Sequence, residues 1–263
     1  MITMDSTAPL YSAIVGCGTT GCFLLSLLRQ SQARAKLVAI DDNSGSLEMS
    51  AADQQVLARP GEKLKADIGS FEVVFVVFDP SEGDSLAYAR DVASRASTEG
   101  AYVYGFAINK TGSSLAEADV APGFGGMAIV DAAWVLEKRG DGDEERALHI
   151  AFNFAAHTLT FLTAAIDSGD LPVSPFREIT SAGTAGFAAT HLSEAESVYA
   201  MTMSKIDSPQ VKSGFVFIDA ATGDVLARRI FLRVAAGLPR ESNLSMLRVG
   251  GLAPFKIMVM LVH

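Results

Sequence analysis

A glycine-rich hexapeptide near the amino terminus carries the residues whose types and spacing best suit ligand chemistry. The segment GCGTTG, residues 16–21, matches G-x-G-x-x-G between an apolar strand and a predicted helix. Glycines let the backbone approach a phosphate closely, and the helix amino terminus supplies unpaired N–H groups and partial positive charge. Asp41 or Asp42 follows after about twenty positions, as dinucleotide binding requires. The motif predicts NAD or NADP binding, and the alternative is a tight strand–helix turn that holds no ligand.

A second strand–turn–helix carries negative charge where a phosphate would lie. The strand VVFVVF, residues 73–78, leads through a short turn into a helix predicted from about Ser85 to Ser97. The turn contains one glycine, Gly83, and three carboxylates, Asp79, Glu82 and Asp84. Two unit charges 4 Å apart repel by about 4 kcal/mol at an effective dielectric constant of 20, so these acids oppose a triphosphate unless Mg²⁺ bridges them. The alternative is an ordinary turn in which Asp84 or Ser85 caps the helix and the acids favour its first turn.

Composition excludes several classes of protein. Of 263 residues, 49% are apolar and 19% charged, which predicts a globular protein with a large core. The net charge of −9 argues against a nucleic-acid or anionic-membrane surface. Two cysteines, Cys17 and Cys22, are too few for a disulfide framework, and four scattered histidines lack metal-ligand spacing. We therefore expect no metal site, and we interpret both cysteines as small buried filler.

No segment has the features of a membrane or export signal. No apolar run approaches the roughly 18 residues that a membrane span needs. The first residues, MITMDSTAPLYSAIVG, lack the basic start of a signal peptide. We expect a cytoplasmic protein that does not insert into a membrane.

Strands alternate with helices in the first part of the chain, which predicts a parallel sheet with helices on both faces. Residues 44–69 are polar and irregular with one short strand, and residues 127–138 contain a strand or a short helix. The almost continuously apolar stretch from 147 to 166 predicts a helix buried along its length. Beyond it we predict a helix at 192–206, and the remaining segments are a strand at 214–218, a helix at 229–238 and closing strands at 245–251 and 255–262.

The second half of the chain resembles the core of the FtsZ/tubulin superfamily. The shared features are an Ala-Phe pair near the start of a central helix (Ala151-Phe152), a small-residue segment at 181–186, and a G-x-V-x-I pattern at 214–218. The hexapeptide 16–21 stands where that family has its first phosphate loop, and AIDDNSGSL, residues 39–47, resembles the end of its second strand. The resemblance implies an α/β fold: a Rossmann-like parallel-sheet domain at 1–146, a long central helix at 147–168, and a smaller α+β domain at 169–263.

The same resemblance implies which positions would face a nucleotide. They are Gly16, Gly18, Thr19, Thr20, Gly21, Asp41, Gly83, Ser85 and Phe152. The sequence departs from the family at its signature loop, a Gly/Thr run there but SEGDSLA here, residues 81–87, with one glycine. In the family's catalytic loop N-x-D-x-x-D, both aspartate positions are prolines here, Pro172 and Pro175, and Ala156 replaces the acid that reads the guanine edge. Proline has no carboxylate to orient water, so we expect no catalytic residue and no GTP hydrolysis.

Three hypotheses follow. The first is a divergent FtsZ/tubulin-like protein that has lost GTP hydrolysis. It would associate with itself or modulate an FtsZ-like cell-division filament, with Arg177 and several late arginines as contact candidates. It would need no cofactor, with GTP or GDP as the ligand if the altered loops still bind. The second is an oxidoreductase binding NAD through the glycine motif and Asp41. The third is a weak GTP-binding filament protein whose metal is held by Asp79, Glu82 or Asp84.

Overall fold

The computed structural model describes residues 11–59, 63–110, 122–139, 142–181, 183–190, 210–250, 252 and 255–263. Within these residues the strands are β1 (Ser12–Cys17), β2 (Lys36–Asp41), β3 (Gln54–Leu57), β4 (Val73–Phe78), β5 (Tyr102–Asn109), β6 (Gly126–Asp131), β7 (Thr184–Thr190), β8 (Ser213–Asp219), β9 (Asn243–Val249) and β10 (Ile257–Val262). The helices are α1 (Gly18–Gln30), α2 (Ser44–Met49), α3 (Ser85–Thr98), α4 (Ala132–Arg139), α5 (Glu144–Asp167), α6 (Val173–Thr180) and α7 (Asp224–Ala235).

All these strands belong to one sheet in the order β3-β2-β1-β4-β5-β6-β7-β10-β8-β9. The first six are parallel, with Cys17 of β1 paired to Ile40 of β2 and to Phe78 of β4. Their carboxyl ends therefore lie at one edge, where open α/β sheets present their ligand-binding loops. The expected Rossmann-like α/β architecture is confirmed.

The sheet continues without a break into the last part of the chain. Strand β7 pairs parallel to β6 through Met127 and Thr184. Strand β10 lies antiparallel between β7 and β8, and β9 is parallel to β8 with α7 as the connecting helix. The division into parts at 146 and 168 stays a prediction.

Strand residues alternate between two apolar layers, because successive side chains of a strand point to opposite faces. On one face Phe75 and Phe217 pack with α1, α5 and α6 in a single core. On the other face Val76 packs under α3, and Val216 packs under α7. The helices that border the site are thus fixed by buried contacts on both sides of the sheet.

The central helix begins earlier than the apolar run predicted. Asp143 precedes α5 and its Oδ1 accepts a hydrogen bond from the Arg146 N–H (3.0 Å), while Glu144 and Glu145 form the first turn. Acidic residues stabilise a helix amino terminus, so the charged loop before the apolar run starts the helix. The helix ends at Asp167, one residue before the predicted boundary.

In length and composition α5 could cross a membrane, and it is the one such helix among the residues with described structure. The expectation that no segment would meet this criterion is therefore wrong. Twelve of its residues are buried, and it contacts α1 and α4 and borders β1 and β6. Such burial is typical of the core helix of a globular protein.

Two other predictions miss local structure set by side-chain caps. The segment 44–69 contains α2 as well as β3, because Asn43 Oδ1 accepts from the Gly45 N–H (2.9 Å) and starts a helix. Residues 126–139 form both a strand and a helix, with Asp131 Oδ1 accepting from the Ala133 N–H (2.9 Å) at the junction. The helix predicted at 192–206 lies outside the described residues.

Candidate functional site

The two loops singled out by sequence meet at the carboxyl edge of the sheet. Strands β1 and β4 are neighbours and end together at Cys17 and Phe78. Helix α1 starts at Gly18 directly after β1, and the acidic turn leads from β4 into α3. The structure therefore brings the glycine motif and the acidic turn side by side.

Each glycine of the motif has a packing reason within the chain. A Cβ on Gly21 would lie 2.7 Å from the carbonyl oxygen of Val77 and 2.7 Å from the carbonyl carbon of Gly16. A Cβ on Gly16 would lie 2.5 Å from the carbonyl oxygen of Gly21. Gly18 has a φ of +72°, and a Cβ there would meet the side chain of Ser85 at 2.8 Å. The pattern that predicts a phosphate loop is required here by the contact of β1, α1 and β4.

The amino terminus of α1 already holds an anion, the side chain of Glu82. Its Oε2 accepts a hydrogen bond from the backbone N–H of Thr20 at 2.8 Å. A Cβ on Gly18 would lie 3.1 Å from the same carboxylate oxygen, so the absence of a side chain at Gly18 leaves room for it. Unpaired N–H groups and partial positive charge at a helix amino terminus favour a bound anion. The carboxylate thus occupies the place that the motif predicts for a phosphate.

Lys110 fixes that carboxylate from the other side. Its Nζ lies 3.4 Å from Glu82 Oε1 and 3.2 Å from Oδ2 of Asp79, whose side chain is fully buried. The other oxygen of Asp79 accepts from the backbone N–H (2.8 Å) and Oγ (2.6 Å) of Ser81. The lysine ammonium lies between two carboxylates, the position that a bridging metal ion would take.

The start of α3 differs from the predicted cap. Asp84 occupies the N-cap position, but its side chain makes no capping hydrogen bond. Ser85 is buried, and its Oγ donates to the Cys17 carbonyl oxygen at 2.8 Å, so it ties α3 to the end of β1. Gly83 has a φ of +43° and completes the turn. Thus Ser85 and Gly83, both predicted to face a nucleotide, shape the turn itself.

Asp41 and Thr19 also bond within the chain. Thr19 Oγ1 donates to Asp41 Oδ2 at 3.3 Å and lies 3.1 Å from Ser46 Oγ on α2. The backbone N–H of Asn43 donates to the other oxygen of Asp41 at 3.2 Å. Burial raises the pKa of the Asp41 carboxyl above its ordinary value. Through these hydrogen bonds Asp41, at the end of β2, and Thr19, on α1, connect β2, α1 and α2.

Phe152 lies on α5 and is 7% exposed. Its ring packs edge-to-face on Phe23 of α1, with centroids 5.1 Å apart, and Ala156 one turn later is buried. Phe23 is itself 43% exposed. The position of Phe152 is typical of a core residue, and the contact of Phe152 with a nucleotide stays a prediction.

The loop matching the family's catalytic loop holds no acid at either proline position. Pro172 is the N-cap residue of α6, and Pro175 lies exposed in its first turn. The backbone N–H of Asp170 donates a hydrogen bond to Ser168 Oγ (3.4 Å), and Gly169 between them has a φ of +80°. Nearby, the Arg177 guanidinium lies over the Tyr102 ring, 5.8 Å from its centroid.

The two cysteines are buried, unpaired thiols. Burial raises the pKa of Cys17 well above its ordinary value and that of Cys22 to about 12, with Asp41 adding to both. A thiol that resists ionisation is a poor nucleophile. Both act as packing residues at the start of α1.

The arrangement of Glu82 and Lys110 leaves no room for a phosphate at the amino terminus of α1 or for a metal ion between the carboxylates. Glu82 fills the α1 amino terminus, and Lys110 fills the space between the carboxylates. In the described part of the chain, no group of three or more His, Cys, Asp or Glu side chains is arranged to hold a metal ion. The sequence indicated that Glu82 would oppose a phosphate. It did not indicate that the Glu82 carboxylate would take the place of the phosphate, because its partners Thr20 and Lys110 lie 62 and 28 residues from Glu82 in the sequence.

Comparison with known proteins gives a match in structure alone. No family model and no curated protein matches this sequence. The FtsZ dimer from M. jannaschii is similar with a TM-score of 0.77 at 16% identity, covering 98% of this chain and 89% of that chain. A CetZ2 protofilament from Haloferax volcanii, described as bound to GTPγS, has a TM-score of 0.68 at 15% identity, covering 95% and 92%. TubZ from Clostridium botulinum phage c-st has a TM-score of 0.64 at 11% identity, covering 96% and 91%.

Proposed function

We propose that this chain, which has the FtsZ/tubulin fold, is an assembly protein that works without hydrolysing GTP. It associates with copies of itself or with an FtsZ-like filament, which it modulates in the cytoplasm during cell division. Similarity to an FtsZ dimer and a CetZ2 protofilament supports the cytoskeletal class.

The single observation that carries the proposal is the Glu82 carboxylate on the Thr20 N–H at 2.8 Å. In this position the chain's own anion neutralises the helix terminus that a nucleotide phosphate would use. A triphosphate entering there must displace Glu82 from both Thr20 and Lys110. The expected consequence is a phosphate loop whose arrangement does not depend on nucleotide.

The segment 170–175, which matches the family's catalytic loop, supports the loss of GTP hydrolysis. Phosphoryl transfer to water needs a group that orients the attacking water. Pro172 and Pro175 cannot do so, and Asp170 remains as the one acid of the segment 170–175. A subunit of this kind can contact a neighbour without acting on that neighbour's nucleotide.

The NAD hypothesis requires a pyrophosphate at the amino terminus of α1, where the Glu82 carboxylate already lies. A pyrophosphate would have to replace Glu82, and a ribose would have to replace the bonds of Asp41 to Thr19 and Asn43. Weak GTP binding stays a second candidate, because a solved relative in fold is described as bound to GTPγS. Under that candidate, GTP opens the Glu82 contact.

Sedimentation of the nucleotide-free protein with and without GTP and Mg²⁺ tests the proposal. We expect the same extent of assembly in both, with no phosphate release above the buffer rate. Assembly that requires GTP and releases phosphate would overturn it. The nucleotide content of the protein as purified, measured by absorbance ratio and chromatography, separates the hypotheses: none for the inert protein, GDP or GTP for the weak binder, and NAD for the oxidoreductase.

A further inference from the structure

One face of α7 combines exposed apolar side chains with arginines. Val225 is 86% exposed and Leu232 56% exposed, two helical turns apart. Arg228 and Arg229 lie between them on the same side, since positions i, i+3, i+4 and i+7 share a helix face. Neither arginine forms an ion pair with any described residue. The opposite side of α7 is buried against the sheet through Ala227, Ile230 and Val234. We call the exposed side the α7 face.

An exposed acidic patch lies near the carboxyl edge of the sheet. Asp84, Tyr88 and Asp91 follow one face of α3 at positions i, i+4 and i+7. Asp42 directly follows β2, and only β1 separates β2 from β4, so Asp42 and the start of α3 lie at the same edge about 10 Å apart. Asp42, Asp84 and Asp91 are all exposed. We call Asp42, Asp84 and Asp91 the acidic patch.

The α7 face and the acidic patch cannot meet within one molecule. Helix α7 covers β8, whereas α3 covers β4. These strands are five places apart in the sheet order, a separation of about 24 Å at the usual 4.8 Å between neighbouring strands. An ion pair between the two surfaces therefore requires a second molecule.

We propose that the α7 face docks on the acidic patch of a second copy of this chain. The inference rests on the proposed self-association and names the surfaces that produce it. Opposite charge steers the approach, and Val225 and Leu232 contribute apolar area. The two patches can pair once, in a heterologous contact that repeats from copy to copy and builds a chain or a ring, or twice, in a two-fold dimer.

A copy of the same chain fits the α7 face better than an anionic membrane does. The net charge of −9 opposes the approach of an anionic membrane and of a second copy alike, so the choice between them rests on the acidic patch. The acidic patch supplies carboxylates in a folded arrangement that guanidinium groups recognise through charge-assisted hydrogen bonds. Binding to vesicles of anionic lipid is accordingly an outcome that contradicts the proposal.

Charge reversal on each surface provides the test. One variant carries Arg228→Glu and Arg229→Glu, and the other carries Asp42→Lys and Asp91→Lys. Sedimentation velocity at low salt should show association of the wild type and at least tenfold weaker association of each variant alone. An equimolar mixture of the two should recover association, because each reversed surface then meets its complement. A control carrying Lys65→Glu and Arg146→Glu has the same charge change as the first variant at exposed positions away from α7, and it should associate like the wild type.

Each result bears on one claim. Wild-type association that the variants leave unchanged overturns the docking surfaces and leaves the proposed function standing. Weak association of both variants without recovery in the mixture also overturns the pairing. Binding of the wild type, but not of the arginine variant, to vesicles of phosphatidylglycerol would replace the second copy by a membrane. A wild type that stays monomeric at every salt concentration overturns the docking surfaces and the proposed self-association together, and leaves binding to an FtsZ-like filament as the remaining form of the proposed function.

Discussion

Oε2 of Glu82 lies 2.8 Å from the backbone nitrogen of Thr20, across two loops that are 62 residues apart in the sequence. The same carboxylate contacts Lys110, whose ammonium also pairs with the buried Asp79. A charge-assisted hydrogen bond at a helix amino terminus stabilises both the helix and the loop that supplies the acid. The connection between β1 and α1 is thereby held without any ligand.

Removal of the Glu82 carboxylate should open the α1 amino terminus to an external anion. We expect Glu82→Ala to lower the free energy of unfolding by about 1–2 kcal/mol, the range for a partly buried charge at a helix terminus. Inorganic phosphate should then raise the melting temperature of the variant more than that of the wild type at matched ionic strength. Thermal unfolding with a phosphate titration measures this difference.

Asp84→Ala is the matched control for that experiment. Asp84 belongs to the same turn, and its side chain makes no capping hydrogen bond. Its removal should leave the phosphate response at the wild-type level. An equal response of both variants would show that general loss of negative charge, and not vacancy at Thr20, attracts the phosphate.

Gly21→Ala should destabilise the fold whether or not nucleotide is present. The new Cβ would lie 2.7 Å from the Val77 carbonyl oxygen, and forced overpacking costs about 1–3 kcal/mol or more. Urea unfolding measures the loss. Gly223→Ala, where a Cβ meets nothing within 4 Å, should cost less than about 1 kcal/mol. Equal losses would contradict the packing role of the glycine motif.

Phe152→Ala should behave as a core substitution. Phe152 is 7% exposed and packs on Phe23, so its truncation should lower the free energy of unfolding by about 3–5 kcal/mol. Phe152→Leu retains apolar volume and should cost less than about 1.5 kcal/mol. If Phe152→Ala kept wild-type stability in urea while losing affinity for GTP, the residue would be a base-stacking ligand instead.

Asp167 should make stability depend on pH in a defined direction. It accepts hydrogen bonds from the Tyr11 N–H (3.1 Å) and from Ser12 Oγ (3.2 Å), and burial raises the pKa of its carboxyl. A raised folded-state pKa means that the native state binds the proton more tightly than the unfolded state. The contribution of Asp167 to stability therefore falls as pH rises from the unfolded pKa through the folded one. The stability of Asp167→Asn relative to wild type should be greater at pH 7 than at pH 3.5 in urea unfolding.

Asp53 is the control with the opposite sign. Burial acts to raise the pKa of Asp53, but the Leu37 N–H and the Arg29 guanidinium lower it overall. Its contribution is present above the unfolded pKa and is lost as pH falls through the folded one. Asp53→Asn should therefore lose more stability at pH 7 than at pH 3.5. The same pH trend in both variants would contradict the assignment.

The sequence predicted the order of elements because buried strands and amphipathic helices leave periodic apolar patterns. The runs at 73–78 and 147–166 became β4 and α5, and the parallel sheet followed from the alternation of strands and helices. The FtsZ/tubulin fold was implied by the resemblance of short segments such as 181–186 and 214–218. Helix α2 was missed, and the choice between a strand and a helix at 127–138 stayed open, because side-chain caps at Asn43 and Asp131 start α2 and α4 within short segments. Such caps depend on local geometry more than on periodicity.

The sequence identified the two turns but not the contact between them. The glycine motif marks the turn after β1, and the structure places the acidic turn after β4 beside it. Periodicity and spacing do not predict where a long side chain points when its partners are distant in the sequence. Glu82 could have pointed to solvent, and its contact with Thr20 follows from the register of β1 against β4 and from the position of Lys110.

The most direct test is a crystal structure of the protein soaked with GTP and Mg²⁺. The account predicts that Glu82 Oε2 stays within hydrogen-bond distance of the Thr20 N–H, with no triphosphate density between residues 16–21 and 81–85. A well-occupied triphosphate on the Thr20 N–H, with the Glu82 side chain displaced and Lys110 turned toward the phosphates, would contradict it.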